Sequence, residues 1–334
     1  AGATFINEVT NLFITVVAAT SVLKGDITLG VMLAVQFIIG QLNVPVNQII
    51  SFFRISQDAR MSLERLTEVH EMQDEEPDSE MKIRKLPEKK EIYINNISYQ
   101  YEGPRSPFVL KNIDLAIEEN KTTAIVGVSG SGKTTLLKLL LGFYQPVSGE
   151  ILIGDTRLSN LSLKIWRENV GAVMQDGFLF PESIAYNIAP GNADINEERM
   201  ARAVDIANIK GVIESLPLGY NTKIGANGHG LSEGQKQRLL IARVIYKDPS
   251  LIIFDEATNS LDAATEKVIV ENLAGFFIGK TVIVVAHRLS TVRNADKIVV
   301  MDNGRIVETG SHASLIEKHG TYFNLVKNQL ELGT

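Results

Sequence analysis

Apolar residues crowd the first fifty-odd positions of the chain, and charge dominates after them. No charged side chain occurs between residues 9 and 23, Lys24-Gly25-Asp26 makes a polar break, and charge is absent again from 27 to 53. A helix needs about 20 apolar residues to cross a bilayer core. The second stretch exceeds that length. The first is shorter and includes Asn11, Thr15, Thr20 and Ser21, so it reads as the end of a helix that faces protein or a watery path. Gly40 and Pro45 inside the second stretch are tolerable in a membrane helix. Arg54, Arg60 and Arg65 follow it, whereas Lys24 alone lies in the short turn. That basic bias puts the C-terminal side in the cytoplasm. Helical periodicity continues through Ile55, Met61 and Leu66. Residues 1–66 therefore read as two spans, membrane-embedded over 9–53, plus a cytoplasmic extension. A buried hairpin of soluble helices is the competing reading, and the remainder of the chain argues against it.

Residues 67–91 are dense in charge and contain Pro77 and Pro87, which marks a linker. From Ile92 the pattern changes to short β-rich runs: Ile92-Tyr93-Ile94, Ile97-Ser98-Tyr99 and Thr122 to Val126. Glycines and a helix over Thr134 to Leu141 follow. Leu251 to Phe254 and Thr281 to Val285 are apolar runs that suit buried parallel strands. Strands alternating with helices predict a layered α/β domain over 92–334. No repeat or low-complexity tract is visible.

Composition narrows the class. The 334 residues are long enough for two domains and would put one compact core at its upper limit. A mean hydropathy of +0.06 conceals the asymmetry described above. The net charge of -6 argues against a nucleic-acid partner, which needs a basic face. The absence of cysteine excludes disulfides, zinc-thiolate sites and thiol catalysis. No basic region precedes the first apolar stretch, so it does not read as a signal peptide. Ala1 does not read as a natural start, and the chain reads as a piece of a longer protein.

Gly127-Val128-Ser129-Gly130-Ser131-Gly132-Lys133-Thr134 satisfies the P-loop pattern between a predicted strand and a predicted helix. Its glycines let backbone N–H groups turn inward around phosphate oxygens, and the helix N-terminus adds partial positive charge. Lys133 is expected to reach the β- and γ-phosphates of ATP, and Thr134 to place its hydroxyl on Mg²⁺, with Thr135 beside it. Leu251-Ile252-Ile253-Phe254-Asp255-Glu256 is an apolar strand ending in two acids about 120 residues later. Asp255 suits Mg²⁺, and Glu256 suits a general base for the attacking water.

Leu231-Ser232-Glu233-Gly234-Gln235, followed by Lys236-Gln237-Arg238, resembles the signature of ATP-binding cassette (ABC) proteins. The resemblance extends from Ile92 to the C-terminus, and fused membrane helices make exporters the best match. It implies a RecA-like core with an antiparallel β-subdomain and an inserted helical subdomain over about 181–248. It also implies Mg²⁺-dependent ATP hydrolysis by a homodimer joined through the nucleotide-binding domains. Ser232, Gly234 and Gln235 of one copy would then face the ATP held by the other. Tyr101 matches the aromatic residue that stacks on adenine. Gln175 matches the glutamine that contacts Mg²⁺ and water and links the site to the transport domain. Ser260-Leu261-Asp262 matches the loop that communicates across the dimer, and it also suits a helix N-cap. His287 matches the switch histidine that contacts the γ-phosphate. His70, His229, His312 and His319 fit no chemical pattern and read as solvated.

Two departures from the family pattern stand out. Glu233 replaces the usual middle glycine of the signature, which adds a negative charge near a triphosphate unless its side chain points away. Ala226-Asn227 replaces an acidic residue usual ahead of the signature. The Glu233 variation and the segment from Tyr322 to Leu332 resemble bacterial peptide and bacteriocin exporters, some of which carry an N-terminal peptidase domain. The expected location is the cell (inner) membrane with a cytoplasmic cassette. Lipid or hydrophobic-drug export is the alternative cargo. A soluble non-transport ABC ATPase would lack the stretch from 27 to 53. A nucleotide-gated regulator would often lack an acid such as Glu256 or a histidine such as His287.

Overall fold

A computed structural model describes residues 2–71, 74–76, 81–103, 105–191, 194–225, 230–286 and 292–332, with the backbone alone at 2–7, 43, 69 and 328–332. The chain divides into two compact units, residues 1–77 and 78–334.

The first unit is two helices, α1 (Gly2–Lys24) and α2 (Leu29–His70). Thr28 caps α2, its hydroxyl accepting the Val31 N–H. Threonine hydroxyls within α1 donate back to carbonyls of their own helix, Thr15 to Asn11 at 2.8 Å and Thr20 to Val16 at 3.0 Å. Such bonds leave no donor stranded among apolar surroundings. Leu12, Phe13, Phe37 and Phe52 are all about two-thirds exposed. Among the described residues α2 alone, over Leu29–Glu68, is long and apolar enough to cross a membrane.

The second unit holds two sheets. The smaller runs β2 (Leu110–Ile117), β1 (Ile92–Tyr99), β4 (Ser148–Ile153), β5 (Thr156–Arg157) and is antiparallel. The sequence runs Ile92–Ile94 and Ile97–Tyr99, read as separate strands, are one strand interrupted by a bulge. Asn96 is left-handed there, with φ 49°, and the register shifts on both sides. The bulge has a physical partner in Gly149, where a Cβ would lie 2.4 Å from the Asn95 carbonyl oxygen.

The larger sheet runs β10 (Arg305–Gly310), β9 (Lys297–Asp302), β3 (Thr122–Gly127), β8 (Thr281–Val285), β7 (Leu251–Asp255), β6 (Val170–Val173). All its pairs are parallel except β10 with β9. β7 and β8 are buried along their whole length, as continuous apolar runs demand when both faces are covered.

One face packs on α3 (Lys133–Leu140) and the small sheet, through Leu136, Leu140, Ile125 and Ile283. α4 (Leu163–Asn169) closes this layer. Trp166 Nε1 donates to the Leu140 carbonyl at 2.8 Å, and Arg167 donates to Leu141 and Gly142. These donors satisfy carbonyls that the end of α3 leaves free, and the Arg167 charge suits that helix terminus. The other face carries the helical insertion: α5 (Ile184–Ile188), α6 (Glu197–Ile206), α7 (Lys210–Ser215) and α8 (Glu233–Lys247), together with α9 (Ala263–Phe277). A third cluster joins β3 and β9 to α10 (His312–Glu317) and α11 (Thr321–Leu332), with Tyr322 buried. His312 is not simply solvated, because its Nδ1 lies 2.8 Å from the Tyr322 hydroxyl. His319 is exposed, its ring 4.4 Å from that of Phe323.

Candidate functional site

Parallel strands bring their carboxyl ends to one edge. Asp255 at the end of β7 pairs with Val285 at the end of β8, and Ile125, two residues before the end of β3, pairs with Val285 from the other side. That edge is where open α/β sheets bind ligands. The loop from β3 to α3 rises from it. Gly127 can only be glycine, because a Cβ would stand 2.1 Å from the Met301 carbonyl oxygen on β9. Gly132 caps α3 in the left-handed region with φ 100°, where a Cβ would meet Leu110 Cδ2 at 2.6 Å. Ser129 and Gly130 are exposed, and Gly130 is also left-handed.

Lys133 is buried beneath this loop, where Nζ donates to the carbonyls of Gly127 at 2.9 Å and Val128 at 3.0 Å. Burial pushes its pKa down, opposed by the charges of Glu256 and Asp255. The Thr134 hydroxyl donates to Asp255 Oδ2 at 2.8 Å, reaching across the intervening strand. Asp255 is completely buried. Its pKa is raised mainly by desolvation, with Glu256 and Asp176 adding to the rise and the Thr134 bond and Lys133 opposing it. Among the described residues Asp255 Oδ1 and Ser131 Oγ are buried without a hydrogen-bond partner, which is costly unless a ligand completes them.

That orphaned carboxylate oxygen and the Thr134 hydroxyl are hard donors that fit Mg²⁺. Among the described residues no group of three His, Asp or Glu could hold a metal ion. A carboxylate and a hydroxyl side by side fit a cation that takes its remaining ligands from water and phosphate, as Mg²⁺ does.

Glu256 follows in the left-handed region with φ 53°, and its N–H donates to the Val285 carbonyl at 3.0 Å. Its carboxylate Oε2 accepts from Asn259 Nδ2. A non-glycine residue held at positive φ beside such a site is a strain that its surroundings must maintain. Gln175 lies two residues beyond the end of β6, exposed. The adjacent Asp176 acts on Asp255 electrostatically and pairs with Lys138 at 3.8 Å. Tyr101 is half-exposed. Its hydroxyl lies 2.8 Å from Thr135 Oγ1, and its ring sits edge-on to Tyr99 and Tyr144.

The signature segment opens α8. Ser232 and Gln235 form a reciprocal capping box, which commits the Ser232 hydroxyl to the Gln235 N–H. Glu233 leans along its own helix to Lys236 at 3.1 Å, so its charge is paired at the surface. Asp262 caps α9 through the Thr265 N–H, and those N–H bonds hold its pKa down. His287, Ala226, Asn227 and His229 lie outside the described residues. Ser131, Asp176, Gln237 and Asn259 belong to this neighbourhood too. Ser131 was legible within the motif and Gln237 lies in the run after the signature, whereas Asp176 and Asn259 carry no local signal.

Residues 110–259 match the family model described as "ABC transporter". The chain carries an ABC transporter ATP-binding domain. The chain is 36% identical over 329 residues to an uncharacterized ABC transporter ATP-binding protein, YfiC, of Bacillus subtilis, covering 98% of this chain and 54% of that protein. It is 37% identical over 331 residues to the toxin RTX-I translocation ATP-binding protein of Actinobacillus pleuropneumoniae, covering 99% and 46%. It is 39% identical over 310 residues to the leukotoxin translocation ATP-binding protein LktB of Mannheimia haemolytica, covering 92% and 43%. The chain thus spans about half the length of these relatives. A solved bacterial Atm1-family ABC exporter with ATP bound superposes with a TM-score of 0.74 at 30% identity, over 98% of this chain and 57% of that one. The two sheets, the P-loop edge and the helical insertion are the ABC cassette fold, and homologous ABC transporter ATP-binding domains are ATPases.

Proposed function

We propose that this ABC cassette binds and hydrolyses ATP to drive export across the cell membrane, as a homodimer whose remaining transport segments lie outside the chain. One observation carries the reading: the orphaned Asp255 Oδ1 beside Thr134, under a glycine cradle that already holds an ammonium group. Lys133 rests on two loop carbonyls, which a triphosphate oxygen would outcompete as a charged acceptor. Backbone N–H groups from Ser129 to Thr134 then surround the phosphates. Tyr101 offers its ring to the adenine. Thr134, Asp255 and Gln175 would hold Mg²⁺, which would supply positive charge to the phosphate oxygens. Glu256 takes a proton from water as that water attacks the γ-phosphorus, and the bond to the β-bridging oxygen breaks. His287 would contact the γ-phosphate.

Ser232, Gly234 and Gln235 face the ATP of the sister copy, so the nucleotide joins the copies and its cleavage parts them. A groove of about 670 Å³ lies beside Gln175, lined by Phe143, Phe178, Phe180, Arg167 and Arg243 among others. Exposed aromatics fringed by cations suit docking of a transport-domain segment, through which nucleotide state reaches the membrane. Names of relatives that translocate a toxin and a leukotoxin favour a toxin as cargo, with peptides of the bacteriocin type the narrower form of that reading and lipid or drug the alternative.

The test is Glu256→Gln, measured by calorimetry and by phosphate release. The variant is expected to bind Mg-ATP with unchanged affinity and to lose turnover by about a thousandfold, the scale of removing a general base and its alignment. Turnover at the unsubstituted rate would refute the role of Glu256, and an absence of ATP binding by the unsubstituted chain would refute the whole proposal.

A further inference from the structure

Gln237 stands in the second turn of α8, on the face turned toward the Glu256–Ser260 turn, and its amide bonds both ends of that turn. Nε2 donates to the Glu256 carbonyl at 3.3 Å, and Oε1 accepts the Ser260 N–H at 3.3 Å. The Glu256 carbonyl also accepts the Asn259 N–H at 3.1 Å, while Asn259 Nδ2 holds the Glu256 carboxylate. The first turn of α8 presses on the same place. A Cβ at Gly234 would lie 3.0 Å from the Ser260 carbonyl oxygen and 3.4 Å from Leu261 Cδ2.

A primary amide suits this span because one planar group presents a donor and an acceptor together. The backbone it grips is the left-handed Glu256, a conformation that persists only where its surroundings over-determine it. We propose that Gln237 is a positioning residue for the hydrolytic reaction: it clamps the catalytic turn to α8, so that Glu256 is aligned only while the signature helix is seated. This rests on the assignment of Glu256 as the base. The clamp joins the acid of one ATP site to the helix whose N-terminus serves the other site, a physical link between the two sites within one chain.

Gln237→Met removes both bonds at similar volume. Gln237→Glu keeps the acceptor, loses the donor, and regains one when the introduced carboxyl is protonated. Steady-state phosphate release by the detergent-solubilised chain is expected to show kcat lowered about tenfold in both, with KM for ATP within about twofold. From about pH 8 down to about pH 5 the kcat of Gln237→Glu relative to the unsubstituted chain should rise about twofold, whereas that of Gln237→Met stays flat. A merely structural role would not produce that pH dependence. If Gln237→Met fails to melt cooperatively, the pH profile of Gln237→Glu decides alone. Unchanged kcat in both, a parallel change in kcat and KM, or a flat profile for Gln237→Glu would overturn the clamp. Glu256→Gln is run beside them. If that variant is inactive while the Gln237 variants run normally, the clamp alone is wrong. If it turns over normally, the base assignment falls and takes the clamp with it.

Discussion

Asp255 shows what one buried carboxylate does to a binding site. Its charge is desolvated, one oxygen has no partner among the described residues, and the nearest compensation is a hydroxyl and a lysine already bonded elsewhere. Because its native pKa lies above the ordinary aspartate value, ionisation disfavours the native state. The contribution is absent below the unfolded pKa, grows as pH rises through the raised native pKa, and is fully unfavourable above it. Asp255→Asn abolishes that dependence. The variant is expected to melt about 2–4 °C higher at neutral pH in the absence of nucleotide, roughly 1 kcal/mol for a domain of this size. The difference should vanish below the ordinary aspartate range. Saturating Mg-ATP should stabilise the unsubstituted chain by about 2.7 kcal/mol at one hundred times Kd and the variant far less. Calorimetric melts across pH read all of these, and a lower neutral-pH melting temperature for Asp255→Asn would refute the account. Binding energy from a cation held there would then offset a strain present in the fold.

Helix α8 carries two demands at one end, since Ser232 caps it and, as proposed, faces a phosphate in the sister copy. Substitution separates them. Ser232→Ala should cost about 1 kcal/mol of stability as a lost cap and also lower kcat. Ser232→Asp caps as well as serine but sets a negative charge against a triphosphate, so it should keep the melting temperature and lose turnover more severely. Equal ATPase activity in Ser232→Asp and the unsubstituted chain would leave only the capping role. Such local features were legible before any coordinates, because the P-loop, the Asp255-Glu256 strand end and the signature are runs of consecutive residues whose chemistry depends on neighbours in the chain. The bulge at Asn95-Asn96 was half-legible: two asparagines between apolar runs mark a break, but the runs belong to one strand because Gly149 lets its partner approach. Gln237, Asn259 and Asp176 were not legible as site residues. Each acts across a turn or between α8, β6 and β7, and nothing in a polar residue on a helix or loop says which backbone it will meet. The pairing of Glu233 with Lys236 was likewise a matter of rotamer rather than sequence spacing alone.

At the scale of the whole molecule, the two halves of the chemistry are bonded to different things. The P-loop residues hold one another and Asp255, whereas the signature residues hold their own helix and Gln237, behind them on that helix, holds the turn at Ser260. A ligand shifts an association equilibrium only by its different affinity for the two states, and a γ-phosphate that touched one chain alone would favour neither. If the signature of a second copy completes the site, ATP must favour association, and cleavage must relax it. The chain carries one set of motifs, so a closed twofold dimer would hold two equivalent sites. Glu256→Gln isolates the first half of that cycle. With Mg-ATP the variant, of 36.7 kDa per chain, should double in protein mass by light scattering in detergent, with one nucleotide bound per chain, and the doubling should shift by at least about tenfold in protein concentration when ADP replaces ATP. The unsubstituted chain should dissociate again as ATP is consumed. A mass that ignores nucleotide, or doubles equally well with ADP, would show that the γ-phosphate bridges nothing, and the sister signature would then have no place in the mechanism.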